Sequence, residues 1–125
     1  MTISAIQWKQ IEKVLKGIYM PDLIFTFKNH EVLVTKMPVD AMTMRLEVFI
    51  DGKISGEWIT KSTPMEPIIQ QVWNKKTISK YKKVFTFPIP YFKSTRTFLN
   101  QYKKIKGLSL TPKTAELLEK IEVNQ

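Results

Sequence analysis

The sequence predicts an α+β fold, and three observations carry that expectation. The N-terminal segment repeats its apolar residues at helical spacing. Residues 23–50 alternate apolar with polar positions and end on an Asp-Gly pair. The last third returns to helical spacing behind Ser and Thr residues suited to capping. The architecture expected is an N-terminal helix, an antiparallel sheet of four to five strands that includes a β-meander, and C-terminal helices packed on that sheet.

The first helix is read over residues 4–16. Ser4-Ala5-Ile6-Gln7 has the capping-box pattern, in which the Ser hydroxyl and the Gln amide each satisfy an otherwise orphaned backbone donor. Trp8, Ile11, Leu15 and Ile18 then share one face, and Gly17 supplies a stop.

The meander follows. Leu23, Phe25 and Phe27 alternate with Ile24, Thr26 and Lys28. Asn29-His30 is the expected turn, and Glu31 to Lys36 returns through Val32 and Val34 until Pro38 breaks the pattern. Met42, Met44, Leu46, Val48 and Ile50 form the clearest period-2 run. Asp51-Gly52 then predicts a hairpin into a further strand, Lys53 to Ile59, because both residues of a tight hairpin turn need positive φ.

Beyond Ile59 the texture changes. Ile68, Ile69, Val72 and Trp73 predict a short helix started by Pro67. Lys75 to Lys83 reads as loop or short helix. Val84 to Ile89 reads as a strand bounded by Pro88 and Pro90. Ser94 caps a helix expected over 95–106, with Phe98, Leu99, Tyr102 and Ile105 inward and Gly107 closing it. Thr111-Pro112 starts the last helix, whose apolar side is Leu117, Leu118 and Ile121.

A chain of 125 residues with 43% hydrophobic and 25% charged residues has globular composition, and its length suits one domain with its own core. Within that domain, residues 1–60 form a neutral half and residues 61–125 a basic one. The absence of cysteine excludes disulfides, thiolate nucleophiles and Cys-zinc sites, and fits a reducing cytoplasm. The N-terminal residues lack the basic and apolar regions of a signal peptide, and no stretch approaches the ~18 apolar residues of a membrane span.

Net charge is +9, and its distribution matters more than its size. Residues 1–66 hold eight basic and eight acidic residues. Residues 67–115 hold eleven basic residues and no acid. Residues 116–125 hold one Lys and three Glu. A block of one sign points to an anionic partner, whereas charge kept for solubility mixes the signs.

Within the block, Lys75, Lys76, Lys80, Lys82 and Lys83 cluster. Arg96, Asn100 and Lys103 are spaced to share one helix face opposite Phe98, Tyr102 and Ile105, with Lys93, Lys104 and Lys106 flanking it. If cluster and helix lie side by side, they form a continuous surface for phosphates. Lysine outnumbers arginine ten to one here, which favours backbone contact over base reading by bidentate arginine. The bland alternative is a solvated lysine-rich face. Aromatic residues interleave with the lysines. Core is the favoured reading for Phe85, Phe87, Phe98 and Tyr102. Tyr81, Tyr91 and Phe92, in less regular stretches, are the candidates for stacking on unpaired bases, although core is favoured for them too.

Enzymatic chemistry has little footing. His30 is the only histidine and sits beside a turn, so no metal ligand set and no Ser-His-Asp arrangement is expected. The four glycines, at 17, 52, 56 and 107, cannot build a phosphate cradle. Pro21-Asp22 with Asp51-Gly52-Lys53 matches a loose P-D…D-x-K nuclease pattern, in which carboxylates hold a divalent cation. Asp51-Gly52 is better explained as a turn. No cofactor is expected.

Two stretches together resemble a group of small proteins encoded by bacteriophages and mobile genetic elements. They are residues 45–58, RLEVFIDGKISGEW, and residues 81–99, YKKVFTFPIPYFKSTRTFL. The likeness spans about half the chain and rests on structural motifs, so it transfers no site residues. It implies expression in the cytoplasm of a bacterial host and action by binding, with nucleic-acid machinery or a defence complex such as a CRISPR effector as the target. The expected function is therefore a non-enzymatic binding protein that engages nucleic acid or a nucleoprotein complex through residues 75–106. The alternatives are a structural or assembly protein that meets an acidic protein, and a metal-dependent nuclease.

Overall fold

Helix α1, Ala5–Lys16, starts where its capping box dictates: Gln7 N donates to Ser4 Oγ at 3.1 Å and Ser4 N donates to Gln7 Oε1 at 2.9 Å. Its buried stripe includes Ile11, Val14 and Leu15. The computed structural model describes residues 2–17, 21–41, 43–60 and 63–122. Ile18 and Met42, expected in the first helix and the third strand, lie outside them.

The meander forms as strands β1, Leu23–Phe27, β2, His30–Pro38, and β3, Met44–Ile50. All are antiparallel, with Phe25 opposite Val32 and Val34 opposite Val48. Alternate residues Leu23, Phe25, Phe27, Val32, Val34, Leu46, Val48 and Ile50 point into the core, as the period of two requires. The first turn falls one residue earlier than expected, on Lys28-Asn29, both at positive φ.

The fourth strand expected over Lys53 to Ile59 is not present. Asp51-Gly52 does make the turn, with φ of 52° and 82°, but pairing stops at the single bridge between Ile50 and Lys53. The chain then coils into a short helix, α2, Glu57–Thr60. Two contacts account for this. Trp58 turns away to meet Trp73 edge-on, with ring centroids 5.6 Å apart. The edge of β3 is taken instead by a later strand, β6, Tyr91–Phe92, which places Phe92 opposite Leu46.

Helix α3, Glu66–Val72, begins with Pro67 in its first turn and buries Ile68, Ile69 and Val72. Two strands follow, β4, Asn74–Lys80, and β5, Lys83–Ile89. They pair only with each other, as a separate two-stranded sheet. The segment Lys75 to Lys83, read above as loop or short helix, is thus mainly a strand and its turn. The remaining elements are β6, Tyr91–Phe92, α4, Thr95–Tyr102, β7, Ser109–Leu110, and α5, Pro112–Glu119. Ser94 and Thr111 cap the two helices, accepting from Thr97 N and Thr114 N. Helix α4 stops at Tyr102 rather than at 106, although Ile105 beyond it is still buried.

The five-stranded sheet has the order β6-β3-β2-β1-β7, so its edge strands come from the second half of the chain. Helices α1, α4 and α5 contribute to a single apolar cluster with its inner face. Phe25, Phe92, Phe98 and Tyr102 form an aromatic group at its centre, with ring centroids 4.1 to 6.4 Å apart. Among the described residues, no helix is long and apolar enough to cross a membrane.

Candidate nucleic-acid interface

The basic segment supplies two adjoining structures, a projecting hairpin and an exposed helix face. Strands β4 and β5 carry Lys75, Lys76, Lys80 and Lys83, the turn between them carries Lys82, and residues 75–86 are exposed on both faces. At ~3.3 Å per residue, a seven-residue strand makes an arm about 20 Å long. Lys80 and Lys83 stand directly opposite each other. Like charges in that relation repel, and no ion pair relieves the arm's lysines among the described residues. What holds the arm together is its ladder, the Thr77–Thr86 hydroxyl bond at 3.0 Å, and the Ile78–Phe85 pair on one face.

The arm's root is fixed to α4. Gln101 Nε2 donates to the carbonyls of Gln71 and Trp73, both at 2.8 Å, and the Tyr102 hydroxyl donates to that of Val72 at 2.5 Å. These are carbonyls at the end of α3, which the helix itself leaves unsatisfied. Burial pushes the Tyr102 phenol well above its ordinary pKa, so it remains a donor.

This joint brings the lysine cluster beside the helix. Lys75, Lys76 and Lys93 line one groove with Ser94 and Thr97 at the start of α4. Lys75 and Thr97 also border a second groove, with Asn100 and Lys104. Asn100 leads into a third, with Arg96 and Lys103. Shared residues set the three grooves side by side around α4. Arg96, Asn100 and Lys103 are all exposed, opposite buried Phe98 and Tyr102, as the helical spacing requires. Lys80, Lys82 and Lys83 lie farther out on the arm, and Lys106 is exposed in the turn after α4.

The surface is less purely basic than the segment that builds it. Glu12 of α1 lines the third groove with Lys16. Its hydrogen bond to Lys16 lowers its pKa, with smaller help from the charges of Lys16 and Lys103. A carboxylate brought in by the fold thus borders the patch on one side, which composition along the chain cannot reveal.

The aromatic expectations divide. Phe98, Tyr102 and Phe92 are core. Phe85, expected in the core, is 49% exposed, and Phe87 is only partly buried, because the hairpin has no sheet packed over it. Tyr91 is partly buried, with the Arg45 guanidinium 4.2 Å from its ring centroid. Tyr81, also favoured as core, is 86% exposed. It occupies the arm's tip, where no second layer reaches it.

Asp51, from the loose nuclease pattern, is already engaged. Its carboxylate accepts from Glu31 N at 2.9 Å and pairs with His30 Nδ1 at 2.5 Å, tying two turns together. The His30 hydrogen bond lowers the Asp51 pKa most, followed by that from Glu31 N. Among the described residues, no group of three His, Cys, Asp or Glu side chains is placed to hold a metal ion. No family model matches the chain, and no curated protein or solved structure shows significant similarity to it.

Proposed function

We propose that this protein is a non-enzymatic binding protein that holds nucleic acid on the basic surface running from the β4–β5 arm onto α4. The observation that carries this reading is adjacency: lysines distant in sequence, Lys75 and Lys104, border one groove, and that groove shares lining residues with those of Lys93 and Arg96. Phosphates spaced along a strand can follow such a path, each releasing counterions as a lysine meets it. Lysine's prevalence favours contact with the backbone rather than recognition of base sequence. The engagement of Asp51 in the paired turns supports the turn reading over the nuclease one.

The resemblance to phage and mobile-element proteins extends the proposal to nucleoprotein targets in a bacterial host, including defence complexes such as CRISPR effectors. These present the same phosphates. Binding to random-sequence oligonucleotides across a salt series tests the core of the reading. Neutralising about five phosphates gives a log–log slope near about −4.5 on duplex DNA and about −3.5 on single strands. No binding at low salt overturns it and moves the patch to an acidic protein partner. Capture from host lysate with and without nuclease treatment then separates bare nucleic acid from a nucleoprotein.

A further inference from the structure

We propose that Tyr81, at the apex of the β4–β5 arm, stacks on an unpaired nucleobase, so that the partner is single-stranded DNA or RNA. The inference rests on the nucleic-acid reading above and names the form of nucleic acid. Its strongest support is a comparison among three turns of the same chain. Lys28-Asn29, Asp51-Gly52 and Tyr81-Lys82 each place two successive residues at positive φ, the signature of the type I′ hairpin turn. Asn, Asp and Gly tolerate that conformation, and each of the first two turns contains at least one of them. The third contains none. Tyr81 has a φ of 52° and Lys82 of 62°, a conformation disfavoured for side chains without a local hydrogen bond to offer.

No core packing offsets that choice among the described residues. Tyr81 is 86% exposed and packs into no core. Local rules broken without structural gain mark positions kept for another purpose. The surroundings indicate which purpose. The Lys80 ammonium lies 5.3 Å from the centroid of the Tyr81 ring, and high exposure leaves the ring's other face open. Lys82 and Lys83 adjoin it. A flat apolar face beside one ammonium group, with two more lysines next in the chain, complements a nucleotide, which presents a flat base beside a phosphate. In a duplex the faces of interior bases are already covered, whereas a single strand offers one at every step. Of the other aromatics near the surface, Tyr91 is engaged by Arg45 and Trp58 by Trp73, while Phe85, lower on the arm, lies opposite Ile78.

The test uses single-stranded DNA and RNA oligonucleotides carrying 2-aminopurine, whose fluorescence is quenched by stacking. A matched duplex and phosphatidylserine vesicles serve as the other arms. Wild-type protein should quench the probe and bind single strands more tightly than duplex. Tyr81→Phe should retain both properties. Tyr81→Asn should lose the quenching and bind single strands roughly tenfold more weakly. Because Asn suits the left-handed turn position, Tyr81→Asn should leave the thermal midpoint unchanged or raised, so a loss of binding is not a loss of fold. Which oligonucleotide shows the Tyr81 dependence identifies DNA, RNA or both. Wild-type binding to single strands without quenching, or unaffected by Tyr81→Asn, overturns the stacking inference and leaves the nucleic-acid reading standing. So does binding confined to duplex. Tyr81-dependent binding to vesicles alone, or no binding to any nucleic acid, overturns both.

Discussion

In the five-stranded sheet, Leu23, Phe25, Phe27, Val32, Val34, Val48 and Ile50 are buried at every second position. In the two-stranded arm, the same alternation of a paired hairpin leaves residues 75–86 exposed on both faces. The β1–β2 hairpin and the arm each close on a two-residue turn with positive φ. The difference lies in what covers them. Helices lie over the inner face of the larger sheet, while the arm meets the body chiefly at its root. The contrast shows that strand pairing and core formation are separable. One hairpin uses its pairing to hold apolar side chains for packing, and the other uses it to hold lysines and an aromatic ring away from the body.

The comparison breaks most visibly at equivalent phenylalanines. Phe25→Ala removes a fully buried ring and should cost about 3–5 kcal/mol in urea denaturation. Phe85→Ala, half-exposed on the arm, should cost less than about 1 kcal/mol. Amide hydrogen exchange should follow the same division. Residues 76–86 should exchange through local opening, since a lone two-stranded hairpin is marginal in water, while β1 and β2 should exchange near the global limit.

The joint between the regions comes next in size. Tyr102→Phe removes the hydroxyl that satisfies Val72 O in a buried setting and should cost about 1–3 kcal/mol in the same measurement. At the surface itself, Lys75→Ala and Lys104→Ala should leave stability unchanged within about 0.5 kcal/mol. On the proposed reading each should lower the magnitude of the nucleic-acid salt slope by about 1, the loss expected for one phosphate contact.

The smallest effect belongs to the body's turns. The Asp51 pKa is lowered in the folded state, so its contribution is fully present above the ordinary carboxylate pKa and is lost as pH falls through the lowered one. The pair is partly exposed and therefore screened by solvent, which keeps the contribution below about 1 kcal/mol. Wild-type protein should lose that much relative to Asp51→Asn between about pH 5 and pH 2 in acid titrations of unfolding.

Legibility in the sequence followed burial. The first helix and the meander were readable because one face of each is buried, and burial writes the 3.6- and 2-residue periods into residue choice. The arm was half hidden for the complementary reason. Asn74 to Lys80 has no core-facing side, so Ile78 alone cannot show a period, and Tyr81-Lys82 lacks the residues by which a tight turn is recognised. The segment 53–59 misled in the opposite way. A genuine Asp-Gly turn was present, but the contact of Trp58 with Trp73 and the pairing of Phe92 beside Leu46 decided what followed it, and neither is local. The candidate residues on α4 were legible as a face. Their closeness to Lys75 depended on Gln101 and Tyr102 reaching the end of α3, and the intrusion of Glu12 depended on how α1 lies against α4.

The joint formed by Gln101 and Tyr102 has a mechanical consequence. Three carbonyls held by two side chains form the fulcrum of a lever whose long arm is the hairpin. A rotation of about 10° there would sweep the tip of an arm about 20 Å long through roughly 3.5 Å, the thickness of one stacked base. The aim of the tip is therefore set by amide and phenol groups far from it, and small changes at the joint would be magnified at the ring.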